Sequence, residues 1–312
     1  MIQLIIHNHV NQERLNFTDL VESISLSTEM NKPSKLKFTY LKQGFQAPNG
    51  SLVIFSYKDK VMFKGYIFNS INTEKHIEVL CYDQLRYFQN KDSFITKNQT
   101  LSNVLKFIIS KNQLEEGVIE DTQVVLDSKI YQNKAYLDVL EEMIDFTLIQ
   151  SDKQFILRDE NGKICLRDLT TLKTNVIIGT GYLASSYTYE KSIDENTFNA
   201  VKLTKKNGET LESFLVVDSF NINKWGLLQY YEEVENLSDT LIKQKAEELL
   251  NYYNKETKKL SFNDCILNEN CIAGNIIQVY LENLGINQNC VIKSATMDFK
   301  NTMRMNLEVY YD

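Results

Sequence analysis

Four carboxylates lie on one predicted helix, and they are the residues in this chain whose spacing best fits general acid–base catalysis. Apolar residues recur at helical spacing from Leu137 onward and predict a helix over residues 134–147. The acidic residues on its polar side are Asp138, Glu141, Glu142 and Asp145. Two carboxyl groups at a fixed separation could hydrolyse a glycan. Since an acidic stripe opposite an apolar one is also the ordinary solvated face of a surface helix, we assign these carboxylates to such a face.

The three histidines, His7, His9 and His76, are the candidates for a metal site. His7 and His9 lie two residues apart in a predicted strand, so their side chains would point to the same side and could form a pair of ligands. No third ligand lies nearby in the sequence. We therefore predict an exposed strand end here and no metal site.

Cysteine catalysis would require a histidine beside a reactive thiol. His76 is near Cys81 in sequence, but Cys81 falls in a strand pattern and not at a helix N-terminus, where its pKa would be lowered. The odd count of five cysteines argues against a disulfide framework, and we predict that Cys81 and Cys165 are buried thiols. The stretch Gly179-Thr180-Gly181-Tyr182 is interpreted as a turn. The sequence thus predicts no catalytic residue, no metal ligand and no cofactor.

Trp225 is the sole tryptophan and lies in a polar segment before a glycine. A tryptophan in this setting could anchor an interface with another protein. It could equally pack against its own domain. The sequence leaves both interpretations open.

Composition indicates a folded chain of two or three domains. The 312 residues are 43% hydrophobic, which is enough for ordinary cores. A net charge of −7 argues against a general nucleic-acid binder, since such a protein needs a basic face. The N-terminus has no signal-peptide pattern, and no apolar run is long enough to predict a transmembrane helix.

Strand patterns dominate both ends of the chain. Residues 1–92 alternate apolar and polar side chains in several short stretches and predict an N-terminal β-barrel. Residues 186–312 return to this pattern and predict a C-terminal β-barrel. One helix at about residues 238–255, with Ser238 at its N-terminus, flanks the second barrel.

Residues 93–185 form a predicted α+β insert between the barrels. A helix begins after Thr100, and the helix over residues 134–147 follows it. A hairpin comes next, with its turn at Asp159-Glu160-Asn161-Gly162. The predicted fold class is therefore mixed and β-rich α+β, with two tube-like β-barrel domains flanking an α+β insert.

A series of short segments carries a resemblance to a known family. Tyr82-Asp83-Gln84-Leu85-Arg86-Tyr87 follows a strand with a capped helical turn. The other segments, in chain order, are 65–67, 90–92, 137–148, 158–167, 192–196, 201–203, 224–231, 238–255 and 273–275. In their order and spacing they resemble the XkdQ/YqbQ-like baseplate hub proteins of contractile phage tails and phage-tail-like bacteriocins, or tailocins, related to the hub part of type VI secretion spike proteins. The acidic, Asn-rich segment 263–270 departs from this pattern.

The resemblance implies a structural protein and not an enzyme. Three chains would surround a central channel, and their six barrels would match the hexameric tail tube above while the threefold symmetry matches the spike below. Expected partners are further copies of the chain, the tail tube or tube-initiator protein, the spike protein, baseplate wedge proteins and a tape-measure protein in the channel. The chain is expected in the bacterial cytoplasm during assembly and afterwards in the tail particle. It is expected to bind no specific nucleic acid and not to insert into a membrane.

Two alternatives to the hub remain open from the sequence. The first is a tail-associated cell-wall hydrolase, which would use carboxylates such as Glu141 and Glu142. The second is a tail-tube or assembly paralogue, which would be sixfold in the particle or absent from it.

Overall fold

The computed structural model describes residues 1–42, 46–184, 186–194, 196–207, 210–234 and 238–310. The described chain forms two compact units. The first contains Met1–Leu148, Lys153–Thr188 and residues 260–310, and the second contains Ile149–Asp152 and Tyr189–Lys259. Among the described residues, none of the helices combines the length and the apolar character that crossing a membrane requires.

The N-terminal section is built of strands. They are β1 Ile2–His7, β2 Arg14–Asn16, β3 Val21–Glu29, β4 Lys35–Leu41, β5 Leu52–Tyr57, β6 Lys60–Asn72 and β7 His76–Tyr82. The tight turn between β5 and β6 uses Lys58 and Asp59, which both have positive φ (47° and 64°). This is the backbone geometry of a two-residue hairpin whose twist matches the flanking strands. A 3₁₀ helix, Gln84–Gln89, follows β7.

The middle section mixes helices and short strands. Its elements are β8 Lys91–Thr96, β9 Gln99–Thr100, α1 Leu101–Lys111, β10 Glu116–Ile119, β11 Val125–Leu126, β12 Lys129–Ala135, α2 Tyr136–Ser151, β13 Phe155–Asp159, β14 Ile164–Asp168, a 3₁₀ helix Leu169–Leu172 and β15 Lys173–Gly179. Thr100 caps α1, because its Oγ1 accepts a hydrogen bond from the Asn103 amide at 3.3 Å. The apolar faces of α1 and α2 share one core with β13 and β14.

The remaining elements are β16 Ser186–Ser192, β17 Ala200–Asn207, β18 Thr210–Val217, α3 Ser219–Trp225, β19 Gln229–Glu233, α4 Asp239–Tyr253, β20 Thr257–Ile266, β21 Ile276–Leu281, a 3₁₀ helix Glu282–Leu284, β22 Ile286–Asp298 and β23 Arg304–Tyr310. In the second unit, β17 lies between β18 and β19. Ile242 and Ala246 of α4 pack on Val201 and Leu203 of this sheet to form its core.

One large, mainly antiparallel sheet contains strands from both ends of the chain. Its described order is β16-β20-β23-β22-β3-β4-β7-β6-β5-β1-β2, and β21 joins β22 to β15. The pairing of β3 with β22 places Leu26 opposite Met297, and both side chains are buried. Phe299, just after β22, packs edge-to-face on Phe55 with 4.8 Å between the ring centroids. The sheet and its core therefore need residues from both ends.

Most predicted elements are confirmed, including the strands, the hairpin with its turn at 159–162, and the helices after Thr100 and Ser238. The start of the helix predicted at residue 134 is wrong, because Lys134 still belongs to β12 and α2 begins at Tyr136. Residue 195 of segment 192–196 lies outside the described residues. The chain is β-rich with a large antiparallel sheet, whereas the three-part division at 92/93 and 185/186 stays a prediction.

Gly65 of β6 lies against the backbone of Tyr82 in the neighbouring strand β7. A Cβ atom at this position would lie 2.2 Å from the Tyr82 carbonyl oxygen and 2.6 Å from a ring carbon of Phe63. We expect Gly65→Ala to lower the free energy of unfolding by about 3 kcal/mol, because a backbone carbonyl cannot move aside without breaking the ladder. Urea-induced unfolding measures this change.

Gly285→Ala is the control for that substitution. Gly285 has φ of 64° and no atom within 4 Å of its ideal Cβ position. It should lose only about 1 kcal/mol, the cost of a left-handed backbone in an L-residue. Equal losses in the two variants would show that the contact with Tyr82 is unimportant.

Candidate functional site

The carboxylates predicted on the polar face of α2 do lie on its solvent side. Lys32 forms an ion pair with Glu141, with 2.5 Å between Nζ and Oε1, and Lys129 donates a hydrogen bond to Glu142 at 2.6 Å. Asp138 and Asp145 are exposed. The two glutamates are thus neutralised by lysines from separate segments, as expected for a solvated helix face.

The candidate histidines lie at the surface and the candidate cysteines are buried in the core. β1 ends at His7 and His9 lies in the following turn, so the prediction that they share one side of a strand is wrong. Nε2 of His76 lies 3.1 Å from a carboxylate oxygen of Glu22 at the surface. Cys81 and Cys165 are buried, as predicted, and burial raises the pKa of both thiols. Among the described residues, no three His, Cys, Asp or Glu side chains group to hold a metal ion.

An open groove of about 670 Å³ runs along β15 in the first unit. Its polar lining comes from Lys173, Asn175, Asn268 and Asn270, and Tyr182 contributes an aromatic ring. Amides, an ammonium group and a phenol can form hydrogen bonds but are not the carboxyl pair of a glycosidase. The acids of α2 are not among the lining residues.

A buried polar junction surrounds Asp83 and Gln84, directly after β7. Asp83 caps the 3₁₀ helix Gln84–Gln89, since its Oδ1 accepts a hydrogen bond from the Leu85 amide at 3.1 Å. Its Oδ2 accepts a second one from the Ser34 amide at 2.8 Å. One carboxylate therefore fixes both the start of the helix and the segment that enters β4.

Gln84 connects this junction to the β13–β14 hairpin. Its backbone amide donates to Asp159 Oδ2 at 3.3 Å, and its side-chain amide donates to the Gly162 carbonyl. Its Oε1 accepts from the Glu115 amide at 3.4 Å. Both polar atoms of the Gln84 side chain thus have backbone partners, as a buried amide requires.

Residues near the C-terminus complete the same junction. Arg158 Nη1 donates to Asn275 Oδ1 at 2.9 Å. Gly274 has φ of 84°, and its ideal Cβ would lie 2.8 Å from Cγ2 of Ile156, so the loop can approach β13 only with glycine there. Segments 82–87, 158–167 and 273–275, which carried the family resemblance, therefore meet in one place.

Electrostatics set the protonation of the junction. Burial raises the pKa of Asp83, and the nearby charge of Asp159 raises it further, while hydrogen bonds from Ser34 and Leu85 oppose the rise. Burial also raises the pKa of Asp159, against hydrogen bonds from Gly162 and Gln84 and the charge of Lys64. Because the two neighbouring carboxyls resist simultaneous ionisation, the pKa of Asp83 lies above the range of an exposed carboxyl. Sequence reasoning identified Asp83 as a cap but not its proximity to Asp159, which only the tertiary structure creates.

Trp225 is the last residue of α3 in the second unit and is half-buried. The Lys224 ammonium lies 4.8 Å from the centroid of its ring, in a cation–π contact. Gly226 follows with φ of 81° and ends the helix. The Lys224 side chain therefore covers part of the indole ring, and another part of the ring is exposed to solvent.

The buried carboxyl pair predicts that stability falls as pH rises. A carboxyl whose pKa is higher in the folded protein keeps its proton longer there than in the unfolded chain. Its stabilising effect is complete below the unfolded pKa, about 4, and is lost as pH rises through the folded value. We expect Asp83→Asn to flatten the decline in unfolding free energy between pH 5 and about pH 8.

Urea-induced unfolding across this pH range is the measurement, with the exposed Asp127→Asn as the control variant. The control should keep the slope of the unsubstituted protein. A slope that is unchanged in Asp83→Asn would show that the junction does not retain a proton.

Comparison with known proteins gives the family. A family model described as YQBQ-like matches residues 24–310. The phage-like element PBSX protein XkdQ of Bacillus subtilis is 25% identical over 292 residues, which cover 91% of this chain and 90% of XkdQ.

Solved structures share the fold. The 43 kDa tail protein of prophage MuSo2 from Shewanella oneidensis is similar, with a TM-score of 0.71 at 10% identity, covering 99% of this chain and 98% of that one. The E. coli c3393 protein, a component of the type VI secretion system, has a TM-score of 0.55 at 10% identity, covering 94% and 74%. Since the family model spans most of its length, this chain belongs to the YQBQ-like family.

Proposed function

We propose that this chain is the structural baseplate hub of a contractile tail or tailocin. Three copies form a central channel that adapts the hexameric tail tube to the trimeric spike. The observation that carries the proposal is the fold shared with a prophage tail protein over 99% of this chain. Further support comes from c3393, whose description states structural similarity to the T4 bacteriophage tail proteins gp27 and gp5.

In the proposed hub, residues 1–92 and 186–312 supply two tube-like β-barrels and residues 93–185 supply the insert. Three chains then present six barrels, which resolves the mismatch between sixfold tube and threefold spike. In this chain the β3–β22 pairing joins strands of both sections in one sheet, so the two sections would be held rigidly together in the hub.

A polar face of the large sheet is suited to line the channel. The registers place one row of short polar side chains and a lysine across β23, β22, β3 and β4, namely Asn306, Thr296, Ser27 and Lys35. The hydroxyls of Ser27 and Thr296 lie 3.2 Å apart. Ser25 and Ser23 continue this face of β3. The row ends at Tyr82 of β7, which lies opposite Lys35. Between Asn306 and Lys35 the face carries polar side chains and is well hydrated.

The proposed partners follow from the position between tube and spike. They are two further copies of this chain, the tail tube or tube-initiator protein, the spike protein, wedge proteins around the hub and a tape-measure protein in the channel. The proposed role includes no catalysis, no cofactor, no specific nucleic acid and no membrane insertion. Assembly takes place in the bacterial cytoplasm, after which the chain is part of the particle.

The copy number of the chain in purified tail particles tests the hub. Quantitative mass spectrometry against the sheath protein should give three copies at each tail end, because the hub follows the symmetry of the spike. Six copies would assign the chain to the tube. Absence from the particle would refute the structural role.

Trp225 is the proposed anchor of a contact with another subunit. The half-buried indole is pre-positioned by α3 and the Lys224 contact, so little side-chain entropy is lost on binding. We expect Trp225→Ala to weaken assembly at least about tenfold. Trp225→Phe keeps an aromatic ring in place and should lose less.

Incorporation of each variant into particles, measured in competition with the unsubstituted chain, checks this expectation. Circular dichroism shows whether the variants remain folded. Equal incorporation of a folded Trp225→Ala chain would assign the indole to local packing alone.

A further inference from the structure

Strand β15 is an open edge of the sheet in the first unit. In the described part of the chain it pairs only with β21. The Thr180 amide, directly after β15, donates a hydrogen bond to the Tyr280 carbonyl of β21 at 2.9 Å. Since the backbone groups of successive residues in a strand point to alternate sides, the backbone of Ile178 also faces β21, and Ile177 presents its amide and carbonyl to the other side. The open edge therefore offers hydrogen-bonding groups that no described strand uses.

The groove of about 670 Å³ lies along this edge. Residues 173–177 of β15 line it, together with Tyr182 and Leu183 of the following turn and with Asn268 and Asn270 of the loop after β20. The seven residues of β15 span about 20 Å when extended. The groove therefore has the length of a short strand and a volume typical of protein binding sites.

The loop that lines the groove is held in place by the turn between β5 and β6. Lys58 donates a hydrogen bond to the Glu269 carboxylate at 3.2 Å, and Lys60 donates one to Asn270 Oδ1 at 3.1 Å. The loop belongs to segment 263–270, which departs from the family pattern, and none of the lining residues lies in the segments that carry the family resemblance. The groove is thus preformed, which lowers the entropy lost on binding.

The lining of the groove carries a positive charge and no carboxylate. Lys173 is its single charged residue. Lys173 is exposed and forms no ion pair with any other residue in the described ranges. A lysine on an edge strand disfavours pairing with an apolar strand. A strand with a carboxylate opposite Lys173 removes that penalty, so the charge of the groove selects an acidic occupant.

We propose that the groove binds an extended acidic segment of a partner protein, which adds a strand to the open edge of β15. The backbone of Ile177 forms ladder hydrogen bonds with the segment, and Lys173 pairs with one of its carboxylates. Its apolar side chains pack on Ile177 and Leu183, which both line the groove. A polypeptide is the ligand whose amides and carbonyls repeat at the spacing of a strand edge. The proposal goes beyond the hub and does not depend on it.

Selection of short random peptides displayed on phage, with the purified full chain as target, tests the chemistry of the occupant. The recovered peptides should be rich in aspartate and glutamate and should alternate them with apolar residues. Fluorescence anisotropy of a labelled recovered peptide, titrated with the chain, gives the dissociation constant. Recovery of no binding peptide, or of peptides without acidic residues, would overturn the proposal.

A charge reversal with a matched control locates the binding site. Lys173→Glu should raise the dissociation constant of the recovered peptide at least about tenfold, because it replaces an attraction by a repulsion. Lys97→Glu makes the same change at an exposed lysine between β8 and β9 and should leave the constant unchanged. Both variants should stay folded by circular dichroism, because both side chains are exposed. Equal effects in the two variants, or no effect of Lys173→Glu, would refute the assigned groove.

Amide hydrogen exchange, measured by NMR with and without saturating peptide, tests the added strand itself. The Ile177 amide should exchange at least about tenfold more slowly in the complex, because a new hydrogen bond protects it. The Ile178 amide, whose backbone already faces β21, should change little and serves as the internal control. Unchanged exchange at Ile177 in the saturated complex would refute strand addition at β15. None of these results depends on the copy number in tail particles, so the groove and the hub are tested separately.

Discussion

The pairing of β3 with β22 is the constraint on which the rest of the first unit depends. It brings together residues such as Ser27 and Thr296, which are 269 positions apart in the sequence. Closing so long a loop costs conformational entropy that local contacts cannot offset. Burial of Leu26 against Met297 and of Phe299 against Phe55 supplies the compensating apolar contact. Neither end of the chain has this core by itself, so the two ends must fold together.

The polar junction at Asp83 and Gln84 depends on that closure and adds specificity to it. Apolar packing alone tolerates small shifts of one element against another, whereas a buried amide and a buried carboxyl are satisfied in one arrangement. Gln84 binds the turn at Gly162 and Arg158 binds Asn275, so the β13–β14 hairpin is positioned from both sides. Three of the segments that carried the family resemblance, 82–87, 158–167 and 273–275, contribute residues to this junction.

The sequence predicted most helices and strands correctly but not which strands pair or which distant residues meet. Alternation in β1, β3 and β4 and the caps at Thr100 and Ser238 act locally, so single-sequence patterns reveal them. The alternation of apolar and polar side chains along β3 shows which face of the strand is buried. It does not show that β22 is the neighbouring strand. The short helix α3 escaped prediction because its seven residues bury no side chain completely. The proximity of Asp83 and Asp159 was equally hidden, since it follows from tertiary contacts alone.

Two sheet faces of this protein present opposite chemistry, and the contrast argues for distinct roles. The row through Ser27 and Thr296 carries short hydroxyl and amide groups, whose hydration is favourable and which give a neighbour little to bind. The face of β18 carries Leu211 and Leu215, whose exposure to water is unfavourable until another surface covers them. A row of hydrated polar groups and a strand with exposed leucines thus differ in the free energy of covering them, which is low for the leucines and high for the hydroxyls.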